Sequence, residues 1–121
     1  MAKNITLTIY MPERRVLEKQ IYRVVLPCNG STLTVIDERA PTLLSLDMGV
    51  IKILDEDMNI TEEYYVSGGA VDVHDNSCTI LTEGFYNSRE LSLDKARELL
   101  TENQTPFIEW IVNYLQKKKH S

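Results

Sequence analysis

The chain has 121 residues, of which 43% are hydrophobic and 26% are charged, a composition typical of one soluble globular domain. Its formal net charge of -5 is uneven, since residues 1–87 carry a net -6 and residues 88–121 a net +1. This acidic main body argues against nucleic acid as a partner, because phosphate binding requires a basic face. No secretory signal is expected, and no apolar run approaches the roughly 18 residues that span a bilayer.

Alternating apolar and polar residues predict strands in the first part of the chain. In residues 4–10 the apolar side chains Ile5, Leu7 and Ile9 share one face, which indicates a half-buried strand. Pro27 is predicted to end a later strand, because proline has no N–H for a β-ladder. The further short strands expected before residue 67 lie at 16–17, 21–26, 33–36, 42–46, 50–54 and 60–66.

Two adjacent glycines interrupt a strand-like run. Ser67, Gly68 and Gly69 lie between apolar and β-branched residues, with no polar loop beside them. Because glycine lacks a Cβ, this pattern predicts a bulge, a sharp bend or a second backbone passing close by. A plain loop between two strands is the alternative.

A two-residue turn is predicted at Asp75 and Asn76. This turn would pair Val73 with Cys78 and Val71 with Ile80 on the core face, and Asp72 with Thr79 and His74 with Ser77 on the other face.

After residue 84 the period of the apolar residues becomes helical. Ser92 is a candidate N-cap with Asp94 in the first turn, and a break is expected at 101–104. Pro106 is expected to begin a second helix of about 13 residues, about 20 Å long. In it Trp110 is expected to be half-buried against the β domain, and a place in an interface with a partner is the alternative. The predicted fold is therefore mainly β with an α tail: a sandwich or a barrel of short strands in residues 1–87, then two short antiparallel helices in residues 88–121.

Reactive side chains form no recognisable catalytic pattern. Cys28 and Cys78 lack CxxC spacing, which favours reduced, structural thiols, although a disulfide between them stays open. Cys78 and His74 are predicted on opposite faces of one hairpin, and His120 lies in the tail. The acidic segment 55–59 lacks the glycine and distal glutamate of an EF-hand, so a solvated turn is favoured over a metal site. An enzyme is not expected.

In their order and spacing, four stretches of the chain resemble the epsilon subunit of the proton-translocating ATP synthase, whose mitochondrial counterpart is called delta. They are Pro12-Glu13-Arg14-Arg15-Val16-Leu17-Glu18; Ala40-Pro41-Thr42-Leu43-Leu44 with Gly49-Val50-Ile51-Lys52-Ile53; Val66-Ser67-Gly68-Gly69-Ala70-Val71-Asp72-Val73; and Leu93-Asp94-Lys95-Ala96-Arg97.

The resemblance implies a two-sheet β-sandwich followed by a short C-terminal helical hairpin, in a non-catalytic subunit of the rotor's central stalk. Such a subunit would bind the gamma subunit and the c-ring, couple proton flow to ATP synthesis, and can restrain ATP hydrolysis. Many bacterial members do so with a long second helix that extends and blocks rotation, so the short second helix expected here predicts weak or absent inhibition by that route. It would lie at the cytoplasmic face of the bacterial inner membrane, touching the membrane only through the complex. The contact residues that the resemblance implies are Met11, Thr32, Arg39, Ala40 and Leu43.

The chain departs from the family at these contacts. Family members commonly carry a Gly-Glu-(Phe/Leu)-Gly turn and then Pro-Gly-His before Ala-Pro. Here Thr32 and Arg39 replace the acid and the histidine. The resulting hypothesis is that Arg39 supplies the positive charge that faces the c-ring loops.

A regulatory ATP site is a further hypothesis. Some members bind ATP at (Ile/Leu)-Asp-x-x-Arg-Ala, which Asp94 and Arg97 match, although Glu98 replaces the alanine. The structural alternative is that Asp94 serves the helix dipole and forms an i,i+3 ion pair with Arg97. No other cofactor is expected. The rival to the whole interpretation is a free-standing β-sandwich adaptor for another protein, because a fold alone does not determine function.

Overall fold

The computed structural model describes residues 5–35 and 41–119, which form ten strands, one 3-10 turn (Ser88–Glu90) and two helices. The strands are β1 (Ile5–Met11), β2 (Arg14–Ile21), β3 (Arg23–Cys28), β4 (Ser31–Val35), β5 (Thr42–Leu46), β6 (Gly49–Leu54), β7 (Ile60–Val66), β8 (Gly69–His74), β9 (Ser77–Thr82) and β10 (Phe85–Asn87). The helices are α1 (Leu93–Glu102) and α2 (Pro106–Lys119), and neither is long and apolar enough to cross a membrane.

The strands form two layers, which confirms the predicted sandwich. One layer has the strand order β10-β7-β6-β3-β4 and the other the order β5-β8-β9-β1-β2. Among the described residues, one pair, Cys28 with Leu46, carries the hydrogen-bonded ladder from one layer to the other. The pairing of β1 with β9 is parallel, whereas the other described strand pairs are antiparallel.

The core lies between the two layers. Strand β1 shows how alternation builds it, since Leu7 and Ile9 are fully buried while Tyr10 points outward and is 38% exposed. The buried core residues contributed by the other strands are Ile21, Val24, Leu26, Cys28, Val35, Leu46, Ile51, Ile53, Tyr64, Val66, Val71, Val73, Cys78 and Ile80.

The adjacent glycines lie where a second backbone passes close by, as one of the sequence interpretations predicted. Gly68 and Gly69 have φ angles of +107° and +146°. A Cβ built on Gly69 would lie 1.9 Å from the carbonyl oxygen of Leu81. Only glycine fits this approach of β8 to β9.

The hairpin of β8 and β9 has the predicted register, with Val73 opposite Cys78 and Val71 opposite Ile80. Asp75 and Asn76 have φ angles of 49° and 59°, as in a type I′ turn.

Pro27 does not end its strand, so that prediction was wrong. It lies inside β3, opposite Thr32 of β4. Ladder hydrogen bonds point alternately to the two edges of a strand. The backbone of Pro27 directs its hydrogen-bonding edge away from β4. On that side its carbonyl accepts a hydrogen bond from the Asp47 N–H (2.7 Å). The missing N–H therefore interrupts no bond to β4.

Both helices begin where their caps were predicted. The Ser92 hydroxyl accepts a hydrogen bond from the Lys95 N–H (3.2 Å), and α2 begins at Pro106. The break between them comes later than expected, because α1 continues to Glu102. Thr101 is still helical, and its hydroxyl donates to the carbonyls of Arg97 and Glu98 in the preceding turn.

The helical hairpin covers the outer face of the β10-β7-β6 layer. Tyr65 of β7 is 1% exposed and belongs to a second apolar cluster with Leu91, Ala96, Ile108, Ile111 and Val112. Trp110 is half-buried against Tyr65, as predicted.

Candidate docking surface

The outer face of the β5-β8-β9-β1-β2 layer carries a row of side chains across four strands. The strand registers place Tyr10 beside Leu81, Leu81 beside Ala70, and Ala70 beside Ser45. Leu81 is 54% exposed, in addition to the exposed Tyr10. Tyr10 and Leu81 are therefore two adjacent, exposed large apolar side chains on this outer face, which makes it a candidate surface for a protein partner.

A groove of about 820 Å³ lies at one end of this row. Its apolar lining comes from Tyr10, Met11, Pro12, Ala70 and Leu81, and its charged lining from Glu13, Arg14 and Glu83. A second pocket shares Met11, Arg14 and Glu83 with it and extends to Phe107 and Asn103 at the helical hairpin. The two pockets therefore form one surface from the sandwich to the turn between α1 and α2, which we call the β1/β9 groove.

Two of the predicted contact residues lie on the same layer but apart. Leu43 is 76% exposed, and the strand registers place it in a row with Asp72, Thr79 and Thr8. Met11 lies three strands away from Leu43 across the sheet. Along β1 it lies three residues beyond Thr8, which is the β1 residue in the row of Leu43. At the usual sheet spacings, Leu43 and Met11 are therefore about 17 Å apart. One partner would have to be broad to touch both.

The other predicted contact residues lie elsewhere. Thr32 is exposed on β4, in the opposite layer. It is near the same end of the sandwich as Met11, since Cys28, Leu46, Gly69 and Thr82 are paired successively across that end. Arg39 and Ala40 lie outside the described residues.

Sequence reasoning missed Tyr10 and Leu81 as surface residues that could bind a partner. The available signal was their phase, because each is a large apolar residue at an outward position of an alternating strand. Their proximity could not be read from the sequence, since it depends on the parallel pairing of β1 with β9.

Asp94 and Arg97 are both exposed on α1. Asp94 is in the first turn, as predicted, but the predicted ion pair with Arg97 is wrong: among the described residues, this pair is not within 4.0 Å. An exposed ion pair gains little in water against the entropy of holding two side chains together. The ATP hypothesis stays a prediction.

The two cysteines are free and buried. Burial raises the pKa of the Cys78 thiol to about 12. The pKa of the Cys28 thiol is also raised, mainly by burial and to a smaller extent by the negative charge of the nearby Asp47. His74 is on the outward face of β8, with its ring 3.5 Å from the Asp72 carboxylate. Cys78 and His74 therefore face opposite ways, as predicted, and do not form a nucleophile–base pair.

The acidic segment 55–59 is a hairpin loop closed by one of its own carboxylates. The Asp55 carboxylate accepts hydrogen bonds from the N–H groups of Asp57 and Asn59, each 2.9 Å long. Within residues 5–35 and 41–119, no group of three or more His, Cys, Asp or Glu side chains could hold a metal ion.

The described residues thus form a small two-layer β-sandwich followed by a C-terminal helical hairpin that covers one of its outer faces. The family model described as "ATP synthase, Delta/Epsilon chain, beta-sandwich domain" matches residues 4–88. The chain therefore belongs to the delta/epsilon family of ATP synthase subunits.

Curated relatives agree with this assignment. The chain is 32% identical over 95 residues to the ATP synthase epsilon chain of Rhizobium rhizogenes, covering 78% of this chain and 70% of that one. It is 33% identical over 96 residues to the epsilon chain of Desulfitobacterium hafniense, covering 79% and 71%.

Solved structures show the same fold. A chain in the mitochondrial ATP synthase of Euglena gracilis, an assembly described as OSCP/F1/c-ring, has a TM-score of 0.67 at 23% identity, covering 88% of this chain and 69% of that one. A chain in the central stalk and c-ring of the Tetrahymena thermophila mitochondrial ATP synthase has a TM-score of 0.59 at 25% identity, covering 72% and 69%.

Proposed function

We propose that this chain binds the gamma subunit and the c-ring in the central stalk of a proton-translocating ATP synthase. There it would couple proton flow to ATP synthesis as a rigid, non-catalytic body. The observation that carries the proposal is the exposed pair Tyr10 and Leu81, on the outer face that the helical hairpin does not cover, together with the β1/β9 groove at the end of this face. Family membership supplies the kind of complex.

Co-purification tests the proposal against the adaptor alternative. The chain, expressed with the gamma subunit of the same organism, is expected to elute with it as a stoichiometric complex. A chain that elutes alone, while gamma is folded, would contradict the proposal and favour an adaptor for another protein.

Arg39 is proposed to carry the charge that faces the c-ring loops. Arg39→Glu reverses this charge, so assembly with the c-ring is expected to weaken while binding to gamma is kept. Lys95→Glu, which reverses an exposed charge on α1 outside the groove, is the charge-matched control. Unchanged assembly of the Arg39 variant with the c-ring would contradict the hypothesis that Arg39 supplies this charge.

ATP is proposed as a weakly bound regulatory ligand at α1. Asp94 and Arg97 are exposed, and Glu98, exposed on the same helix, adds a negative charge near the expected position of the phosphates. Calorimetric titration with magnesium and ATP is the measurement. Heat that saturates in the wild type and is lost in Arg97→Ala would support the site, whereas heat that Arg97→Ala leaves unchanged would exclude it.

The location follows from the complex. We propose the cytoplasmic face of the bacterial inner membrane, reached only through the other subunits. The bacterial origin of the epsilon-chain relatives supports this proposal. Fractionation of cells is expected to recover the chain with membranes that contain the c-ring, and to release it when the complex is dissociated.

A further inference from the structure

The contact between α2 and β7 is built from aromatic rings. Tyr65 meets Trp110 edge-on, with ring centres 6.3 Å apart, and meets Tyr114 edge-on at 5.8 Å. Trp110 and Tyr114 stack on each other, 5.2 Å apart and 11° from parallel. Such pairs add to the free energy gained by burying the rings.

A charged pair closes the C-terminal end of this contact. The Lys118 ammonium lies 2.8 Å from the Glu63 carboxylate and 5.6 Å from the centre of the Tyr114 ring. Glu63 precedes Tyr65 by two residues on β7, so the two side chains share the outer face. The Glu63 side chain is only 13% exposed, which shields it from much of the solvent.

The other end of α2 is anchored separately. Phe107 packs on Tyr86 of β10, with ring centres 5.9 Å apart. Gly84 leaves room for it, since a Cβ at this position would lie 2.8 Å from the Phe107 ring. Because β10 is paired with β7, both anchors lie on the same layer.

We propose that Glu63, Tyr65, Tyr114 and Lys118 form a latch that fastens the C-terminal half of α2 to β7. With the latch closed, the hairpin moves with the sandwich as one body. The C-terminal half of α2 separates from the sheet only after the ion pair and the aromatic contacts open. The latch is a property of the single chain and does not depend on the proposed place in the ATP synthase.

Hydrogen exchange of the isolated full chain tests the latch. Glu63→Gln and Lys118→Met each remove one charge and keep most of the side-chain volume. Each is expected to speed exchange of the amides at 111–119 about two- to fivefold, the range set by the free energy of an exposed or partly exposed ion pair. Amides of the β8–β9 hairpin serve as the internal reference and should keep their rates.

The double variant and a neighbouring lysine decide the result. If the two charges act on each other, the double variant exchanges no faster than either single variant. Lys117→Met, which removes an exposed charge one residue away, is the matched control and should leave exchange unchanged.

Equal rates in Glu63→Gln, Lys118→Met and Lys117→Met would overturn the latch, as would effects that simply add in the double variant. Acrylamide quenching of Trp110, the single tryptophan of the chain, gives a second readout. Quenching should rise in the two latch variants and stay constant in the control.

Discussion

At residue scale, local geometry restricts a few positions far more than their neighbours. Gly69 combines a φ of +146° with a backbone contact that leaves no space for a Cβ. Gly30, in the turn between β3 and β4, has a φ of +79°, but a Cβ added there would meet nothing within 4 Å. Substitution at Gly30 therefore tests the cost of backbone conformation alone, whereas substitution at Gly69 tests this cost together with that of crowding.

Gly69→Ala is expected to lower the free energy of unfolding by more than about 3 kcal/mol, because β8 and β9 must move apart. Gly30→Ala, the control, should cost only about 1 kcal/mol, the penalty for an unfavourable backbone conformation. Urea denaturation of both variants measures the difference. Similar losses in the two variants would show that crowding at Gly69 is relieved at little cost.

Asp55 links stability to pH. The Asp55 carboxylate accepts hydrogen bonds from the N–H groups of Asn59 and Asp57, of which the first has the larger effect. These bonds hold the pKa of Asp55 below its ordinary value of 3.8. A lowered pKa in the folded state means that the stabilisation is present above pH 3.8 and is lost as the pH falls through the folded pKa.

Asp55→Ala is therefore expected to be less stable than the wild type near neutral pH, with the difference shrinking below about pH 4. Urea unfolding at several pH values measures this, with Asp57→Ala as the control from the same exposed loop. A difference between wild type and Asp55→Ala that does not change with pH would contradict the role of the ionised carboxylate.

At the scale of elements, β7 differs from an ordinary sandwich strand because both of its faces are covered. Tyr64 points into the sandwich core and Tyr65 into the cluster beneath the helices, and each is 1% exposed. The uninterrupted apolar run from Tyr64 to Val66 is typical of a strand buried on both sides. The hairpin is therefore part of the folded body and more than an appended tail.

Removing residues 104–121 is expected to expose Tyr65 and lower the free energy of unfolding by at least about 2 kcal/mol. In the reconstituted enzyme the same deletion should leave ATP hydrolysis nearly unchanged, because α2 has 14 residues and would extend only about 21 Å. Urea unfolding and a hydrolysis assay are the two measurements. A large rise in hydrolysis would show that this short helix does restrain the rotor.

At the scale of the whole molecule, the two layers have different outer faces. The hairpin covers the β10-β7-β6 face, whereas the β5-β8-β9-β1-β2 face keeps Leu43 and Leu81 exposed. A partner of the sandwich is therefore expected on the second face.

Leu81→Glu is expected to weaken binding to gamma at least about tenfold, because it places a charge in the apolar row. Ile60→Glu is the matched control, since Ile60 is 52% exposed but belongs to β7 in the other layer. Titration of labelled gamma with each variant measures both affinities. Equal affinities of the two variants for gamma would show that gamma does not bind at the β1/β9 groove.

Features that depend on neighbouring residues could be predicted from the sequence. Alternation predicted β1, paired turn residues predicted the β8–β9 register, and Ser92 and Pro106 marked the helix starts, since each depends on contacts within a few residues. The parallel pairing of β1 with β9, the place of Pro27 inside β3 and the packing of the helical hairpin on β7 were decided by the tertiary structure alone. These depend on which distant segments meet, which local patterns do not encode.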